Sequence, residues 1–222
     1  MISAGKAMEN LDKLLLENRG LIRATKGFMP PDEGRALAVS LLSCPIIKGI
    51  PAVEIGSYVG LSAIYLGIAA RSQGRLLISV DHHHGSEENQ AGWEFHDKSI
   101  VDPVSRKMDT LYLFRRTMEL AGLSNSVIIV AADSQSYATV HAGPIAYLFI
   151  DGGHSHAQTF SDYDSWVPKL VDGGFLAIHD VFEDPELGGQ APYIIHQRAS
   201  AEGFTEILAQ GSLRVMRKGG AR

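Results

Sequence analysis

Short apolar runs bounded by Gly, Asp or Pro recur along the chain at residues 52–55, 75–80, 126–131, 145–150 and 174–178, with helix-patterned stretches between most of them. Strands alternating with helices imply a parallel sheet covered on both faces. The intervening helices are expected at residues 61–70, 108–121 and 157–170, the last stopped by Asp172-Gly173-Gly174. Near the end, residues 204–208 and 213–217 flank Ala209-Gln210-Gly211-Ser212, a hairpin signal that would close the sheet with an antiparallel pair. Before the first strand, residues 5–18 and 32–43 read as two helices, the second following Pro30-Pro31 with Asp32 as its cap. These two helices are candidates for a roof over a site or for a homodimer contact.

A chain of 222 residues suits one domain, which at this size buries roughly 70% of the surface its unfolded form exposes. The 20 basic and 25 acidic side chains give a formal charge of −5 without a long Lys/Arg cluster, so a nucleic-acid partner is not expected. Cys44 is the only cysteine, which excludes an internal disulfide and a cysteine-based zinc site and suits a reducing compartment. Residues 1–23 alternate charged and apolar positions, so neither a signal peptide nor a membrane span is expected. The expectation is a cytoplasmic protein with no membrane partner.

Chemistry concentrates where the expected strands end. Glu54-Ile55-Gly56-Ser57-Tyr58-Val59-Gly60-Leu61-Ser62 couples an acid to two glycines at a strand-to-helix turn. Glycine lets backbone pass close to a ligand, and the following helix offers N–H groups to a negative charge. The spacing is E-x-G-x-x-x-G, with Tyr58 where a pyrophosphate binder needs a small residue, which points away from NAD. The other strand ends carry Asp81-His82-His83-His84, Asp133-Ser134-Gln135, Asp151-Gly152-Gly153-His154 and His179-Asp180. Ligands bind at the carboxyl ends of parallel strands, so all five ends share one rim. Asp81 is placed to accept hydrogen bonds from the hydroxyls of a ribose. Residues 82–107 form a long insertion on that rim, a candidate lid with Trp93 and Phe95 as apolar anchors. The histidine triplet reads either as a ligand set or as an exposed loop, and residues 188–193 either as a closing loop or as a plain connection.

These motifs in this order, together with Phe149-Ile150-Asp151 and Ala177-Ile178-His179-Asp180-Val181, resemble the class I S-adenosylmethionine-dependent methyltransferases. The likeness is closest to the catechol O-methyltransferase-like branch and the bacterial methyltransferase domain 24 proteins, and covers roughly residues 30–218. It implies an α/β fold, a Rossmann-like doubly wound seven-stranded sheet with an antiparallel last strand, in which residues 49–218 form the core and 1–48 a helical cap. It also implies that Glu54, Gly56, Ser57, Tyr58, Gly60 and Ser62 hold the methionine end of S-adenosylmethionine. Asp81 would hold the ribose and the Ser134-Gln135 turn the adenine, with His82, Asp133 and Asp151 as further cofactor-binding residues. Related enzymes hold magnesium at the positions of Asp151, His179 and Asp180, and place a lysine base at His154. Histidine at 179 suits Zn, Fe, Co or Ni better than Mg²⁺, and an imidazole at 154 titrates near neutrality. The expected reaction is metal-assisted O-methylation of a small-molecule acceptor. The rivals are a nicotinamide-dependent oxidoreductase, a binding module without catalysis, and a metal-dependent enzyme of another reaction type.

Overall fold

The computed structural model describes residues 4–86, 97–153 and 155–220. Its described residues form a seven-stranded sheet in the order β3-β2-β1-β4-β5-β7-β6, with β1 Ala52–Ile55, β2 Leu77–Asp81, β3 Val127–Ala131, β4 Ile145–Ile150, β5 Leu170–Ile178, β6 Thr205–Gln210 and β7 Leu213–Arg217. The first five strands are parallel, and β7 runs antiparallel to both β5 and β6. The expected α/β architecture, doubly wound with a closing hairpin, is the one observed.

Alternation along each strand divides the apolar side chains between two faces. Ala52, Leu77, Phe149 and Phe175 join one core with α1 (Ala4–Glu17), α3 (Pro31–Ser43), α4 (Leu61–Ser72) and α5 (Leu111–Leu120). Val53, Val80, Leu148 and Leu176 join the other, with α6 (Ser134–Val140), α7 (His156–Trp166) and α8 (Ala191–Ala201). A short α2 (Arg19–Ala24) follows α1.

Several expectations need correction. The helix expected to run to residue 170 ends at Trp166, because Pro168 cannot donate a helical hydrogen bond, and a 3-10 turn at Val167–Lys169 follows. Strand β5 therefore starts at Leu170, and Asp172-Gly173-Gly174 lies inside it, where the register against β4 shifts. The cap of α3 is Pro30 rather than Asp32, which sits in the first turn and accepts from Gln210 Nε2 at 2.8 Å. Residues 191–201, within and beyond the segment that read as a loop or connection, form α8, and Ser134-Gln135 opens a helix rather than a bare turn. Helices α1 and α3 pack on α4, adding a layer to one face. What reaches the rim from this region is residues 26–29 and Glu33.

Candidate active site

Register places the chemistry. Ile55 pairs with Val80 on one side and with Ile150 on the other, and Ile150 pairs with Ile178. The next residue on each strand, Gly56, Asp81, Asp151 and His179, therefore stands in one row along the carboxyl ends. Gly56 has φ +82, and a Cβ there would fall on the carbonyl oxygen of Asp151, so only glycine lets β1 and β4 stay paired up to this row. Tyr58 takes φ 48, an uncommon region for a residue with a bulky side chain.

The turn is held by Asp81. Its Oδ2 accepts from the N–H groups of Ser57 at 2.9 Å and Tyr58 at 3.0 Å, and its Oδ1 accepts from His83 N–H at 2.6 Å. The hydroxyl of Ser57 is 3.4 Å away, weak enough for a ligand hydroxyl to replace.

A cavity of about 850 Å³ opens over this row. Of the sequence-predicted cofactor residues, Gly56, Ser57, Tyr58, Ser62, Asp81, His82, Ser134 and Asp151 line it, whereas Glu54, Gly60, Asp133 and Gln135 do not. Gly60 caps α4, and Asp133 caps α6 by accepting from Ser136 N–H at 2.8 Å. Glu54 is fully buried on the α4 side of β1, beside its register partner Ser79. The hydroxyls of Ser62 and Ser79 each donate to it at 2.6 Å. In this arrangement both Glu54 and Ser62 are engaged with each other.

Burial pushes the Glu54 carboxyl up from 4.5 to about 8, against the pull of the two serine hydroxyls. A carboxyl whose folded pKa exceeds its unfolded value binds its proton more tightly when folded, so stability falls as pH rises from 4.5 through 8. Glu54→Gln should flatten that slope, by up to about 5 kcal/mol at 1.4 kcal/mol per pKa unit. Urea denaturation of both proteins at pH 5 and pH 8 measures it, and equal slopes would remove Glu54 as the source.

The three histidines of the triplet go to separate partners. His83 is buried with Nδ1 2.8 Å from Thr110 Oγ1, His84 Nδ1 is 3.0 Å from the Met108 carbonyl, and His82 Nδ1 accepts from His84 N–H at 3.0 Å. Among the described residues they gather no metal site, and of the three His82 alone lines the cavity. In the described parts of the expected lid, a 3-10 turn at Lys98–Ile100 is capped by Asp97, which pairs with Lys26 across the chain. Trp93, Phe95 and His154 lie outside the described residues.

Among the described residues, Asp151, His179 and Asp180 form the one group of acids and histidines whose ligand atoms cluster within 4.8 Å. His179 Nδ1 lies 3.1 Å from Asp151 Oδ1 and 3.4 Å from Asp180 Oδ2. Asp180 reaches back because the chain turns at φ 55 after β5. Burial works against charge on His179, but Asp151 and Asp180 outweigh it and raise its pKa to about 11.

Two acids that the sequence reading missed complete the site. Glu33 on α3 meets His179 Nε2 at 2.6 Å. Asp162 on α7 takes a hydrogen bond from Ser134 Oγ and, from Gln158 Nε2, contacts of 3.1 and 3.2 Å. Burial raises its pKa to about 6.

Residues 53–181, more than half of the chain, match a family described as a methyltransferase domain. The chain belongs to that family. Sheet order, closing hairpin and family together make it a class I S-adenosylmethionine-dependent methyltransferase. Among solved structures, the O-methyltransferase NovP is 14% identical with a TM-score of 0.66, over 96% of each chain. An O-methyltransferase from Bacillus cereus in complex with S-adenosylhomocysteine is 18% identical with a TM-score of 0.58, over 95% of this chain and 91% of that one. TomG from Streptomyces achromogenes, an O-methyltransferase in complex with S-adenosylmethionine, is 16% identical with a TM-score of 0.57, over 96% and 90%. At these identities the likeness is one of fold. The methyltransferase has no described helix long and apolar enough to cross a membrane.

Proposed function

We propose that this methyltransferase methylates an oxygen of a small-molecule acceptor, assisted by a divalent ion at Asp151, His179 and Asp180. The observation that carries the reading is that the glycine turn and the carboxylate–imidazole cluster open into one cavity, side by side on the same row of strand ends. Its volume of about 850 Å³ is within the range of small-molecule sites.

The donor set fits an ion. Two carboxylates supply oxygens and His179 supplies Nδ1, and the negative field that holds a proton on that nitrogen would equally hold a cation there. Held by these residues, a divalent ion would supply Lewis-acid chemistry, lowering the pKa of an acceptor hydroxyl and orienting it. Bound S-adenosylmethionine would supply a methyl on sulfonium sulfur for in-line displacement by the acceptor oxygen, with S-adenosylhomocysteine as the leaving product.

The chain's own residues align these partners. The Ser57-Tyr58 turn, fixed by Asp81, would seat the cofactor, and Ser134 with Asp162 gives the cavity polar groups that would suit a base. Phe28, Met29, Phe182 and Leu187 add apolar side chains to the lining, suited to the body of an acceptor. Alignment of this kind contributes roughly 7 to 11 kcal/mol of barrier lowering. For the proton, His154 is the residue proposed, from its place three positions after Asp151 in the sequence.

Turnover on phenolic test acceptors should fall by about 10²-fold or more after chelation, and in Asp180→Asn, while S-adenosylhomocysteine affinity by isothermal titration changes little. Full activity in exhaustively chelated protein would reject the ion, and absence of transfer to any hydroxyl would reject O-methylation.

A further inference from the structure

We propose that Glu33 is the positioning residue of the ion site: it fixes His179 as an Nδ1 ligand and biases the site toward ions that accept imidazole, such as Co²⁺ or Zn²⁺, over Mg²⁺. The proposal rests on the ion site inferred above and adds a residue from outside the cluster.

Glu33 lies in the first turn of α3, 5% exposed, with Leu37 and Leu41 one and two turns further on the same inward face. A carboxylate so buried needs partners for both oxygens. Its Oε1 accepts from Ser212 N–H at 2.8 Å. Its Oε2 lies 2.6 Å from His179 Nε2, with the Ser212 hydroxyl 3.2 Å from the same oxygen. With the Ser212 N–H donating to Oε1 and its hydroxyl to Oε2, the carboxyl oxygens are arranged as acceptors, so Nε2 is the donor of the remaining contact. That leaves Nδ1 as the ring atom turned toward Asp151 Oδ1 and Asp180 Oδ2, at 3.1 and 3.4 Å.

A carboxylate on the far nitrogen is the arrangement by which metal-binding imidazoles are held: it selects the tautomer, orients the ring and makes the near nitrogen a better donor. The β6–β7 hairpin secures the carboxylate in turn. Gly211 has φ +53, and a Cβ there would overlap Glu33 Oε1, so the hairpin tip closes on the acid as a side chain would not allow. Helix α3, the end of β5 and the hairpin thus converge on one imidazole. Improving the nitrogen donor favours ions that bind imidazole and does little for Mg²⁺, which prefers oxygen.

Two measurements test this. Long-range ¹H–¹⁵N spectra of the Zn²⁺-loaded wild-type protein should show His179 protonated at Nε2 and bound through Nδ1; the opposite tautomer overturns the proposal. Isothermal titration of Glu33→Gln should show Co²⁺ affinity reduced about 10- to 100-fold, with Mg²⁺ and S-adenosylhomocysteine affinities within about threefold of wild type. Equal losses for all three ligands would mark a merely structural role, and unchanged Co²⁺ affinity would remove the positioning role while leaving the ion site standing. Wild-type protein that binds neither Co²⁺ nor Mg²⁺ overturns the ion site and this proposal together. If Glu33→Gln does not fold, the wild-type spectra decide.

Discussion

Gly56→Ala is expected to abolish S-adenosylhomocysteine binding and to destabilise the fold by about 3 kcal/mol or more. Left-handed backbone at φ +82 costs an alanine about 1 to 2 kcal/mol. The added carbon would also overlap the carbonyl oxygen of Asp151, with that residue's carbonyl carbon 2.7 Å and Gly152 Cα 2.8 Å away. All are backbone atoms, which no rotamer change can move. Relief requires β1 and β4 to part where Asp151 N–H donates to the Ile55 carbonyl at 2.9 Å, and that opening displaces Asp151 from His179. Gly49 is the control: its φ of +79 is similar, yet nothing lies within 4 Å of its Cβ position. Gly49→Ala should therefore lose only the backbone cost of about 1 to 2 kcal/mol and bind the cofactor normally. Thermal unfolding and isothermal titration compare the two, and equal effects would show that steric overlap with Asp151 is not what matters.

Which elements were legible follows from what marked them. Strands β1 and β4 stand where the sequence placed them because Pro51 and Gly56 bracket one, while Pro144 and Asp151 bracket the other. Helix α6 has seven residues, several of them weak helix formers, and depends on the Asp133 cap. Helix α8 follows Gly188-Gly189 and carries Pro192 in its first turn, so punctuation that reads as loop sits directly before it.

In the site, strand ends were readable because parallel topology sends them to one rim, but partners across the fold were not. Glu54 is visible as an acid beside a glycine turn. Alternation turns it to the α4 face, where Ser62 and Ser79 occupy its two oxygens. Glu33 and Asp162 carried a signal that went unread. Each is an acid on the buried stripe of a helix, Glu33 with Leu37 and Leu41, Asp162 with Thr159, Tyr163 and Trp166. A charge at such a position demands a buried partner. Its identity, His179 for the first and Ser134 for the second, depends on contacts 146 and 28 residues apart in sequence. Local pattern fixes the demand and only the assembled fold answers it.

Asp81→Asn is expected to weaken S-adenosylhomocysteine binding by about 10- to 100-fold, nearly as much as Asp81→Ala, although asparagine has the same shape. The reason lies in how both oxygens are used. Oδ2 accepts from Ser57 and Tyr58, and Oδ1 accepts from His83, all from backbone N–H groups. An amide has one oxygen, so its NH₂ must face N–H donors on one side or the other. Either the glycine turn or the His83 segment loses its acceptor, and both Tyr58 at φ 48 and His83 at φ 61 hold uncommon backbone conformations that the acceptor supports. Loss of binding alone would not separate this turn-fixing role from the ribose contact inferred for the same carboxylate, since both fail together. Titrating wild type and Asp81→Asn with S-adenosylhomocysteine and with its 2′,3′-dideoxy analogue separates them. If the carboxylate meets the ribose hydroxyls in place of the weakly held Ser57 hydroxyl, wild type prefers the hydroxylated ligand and the variant largely loses that preference. A preference that survives intact in the variant would confine Asp81 to the turn and require the hydroxyls to be recognised by another group on the rim, with His82 the nearest candidate along the chain.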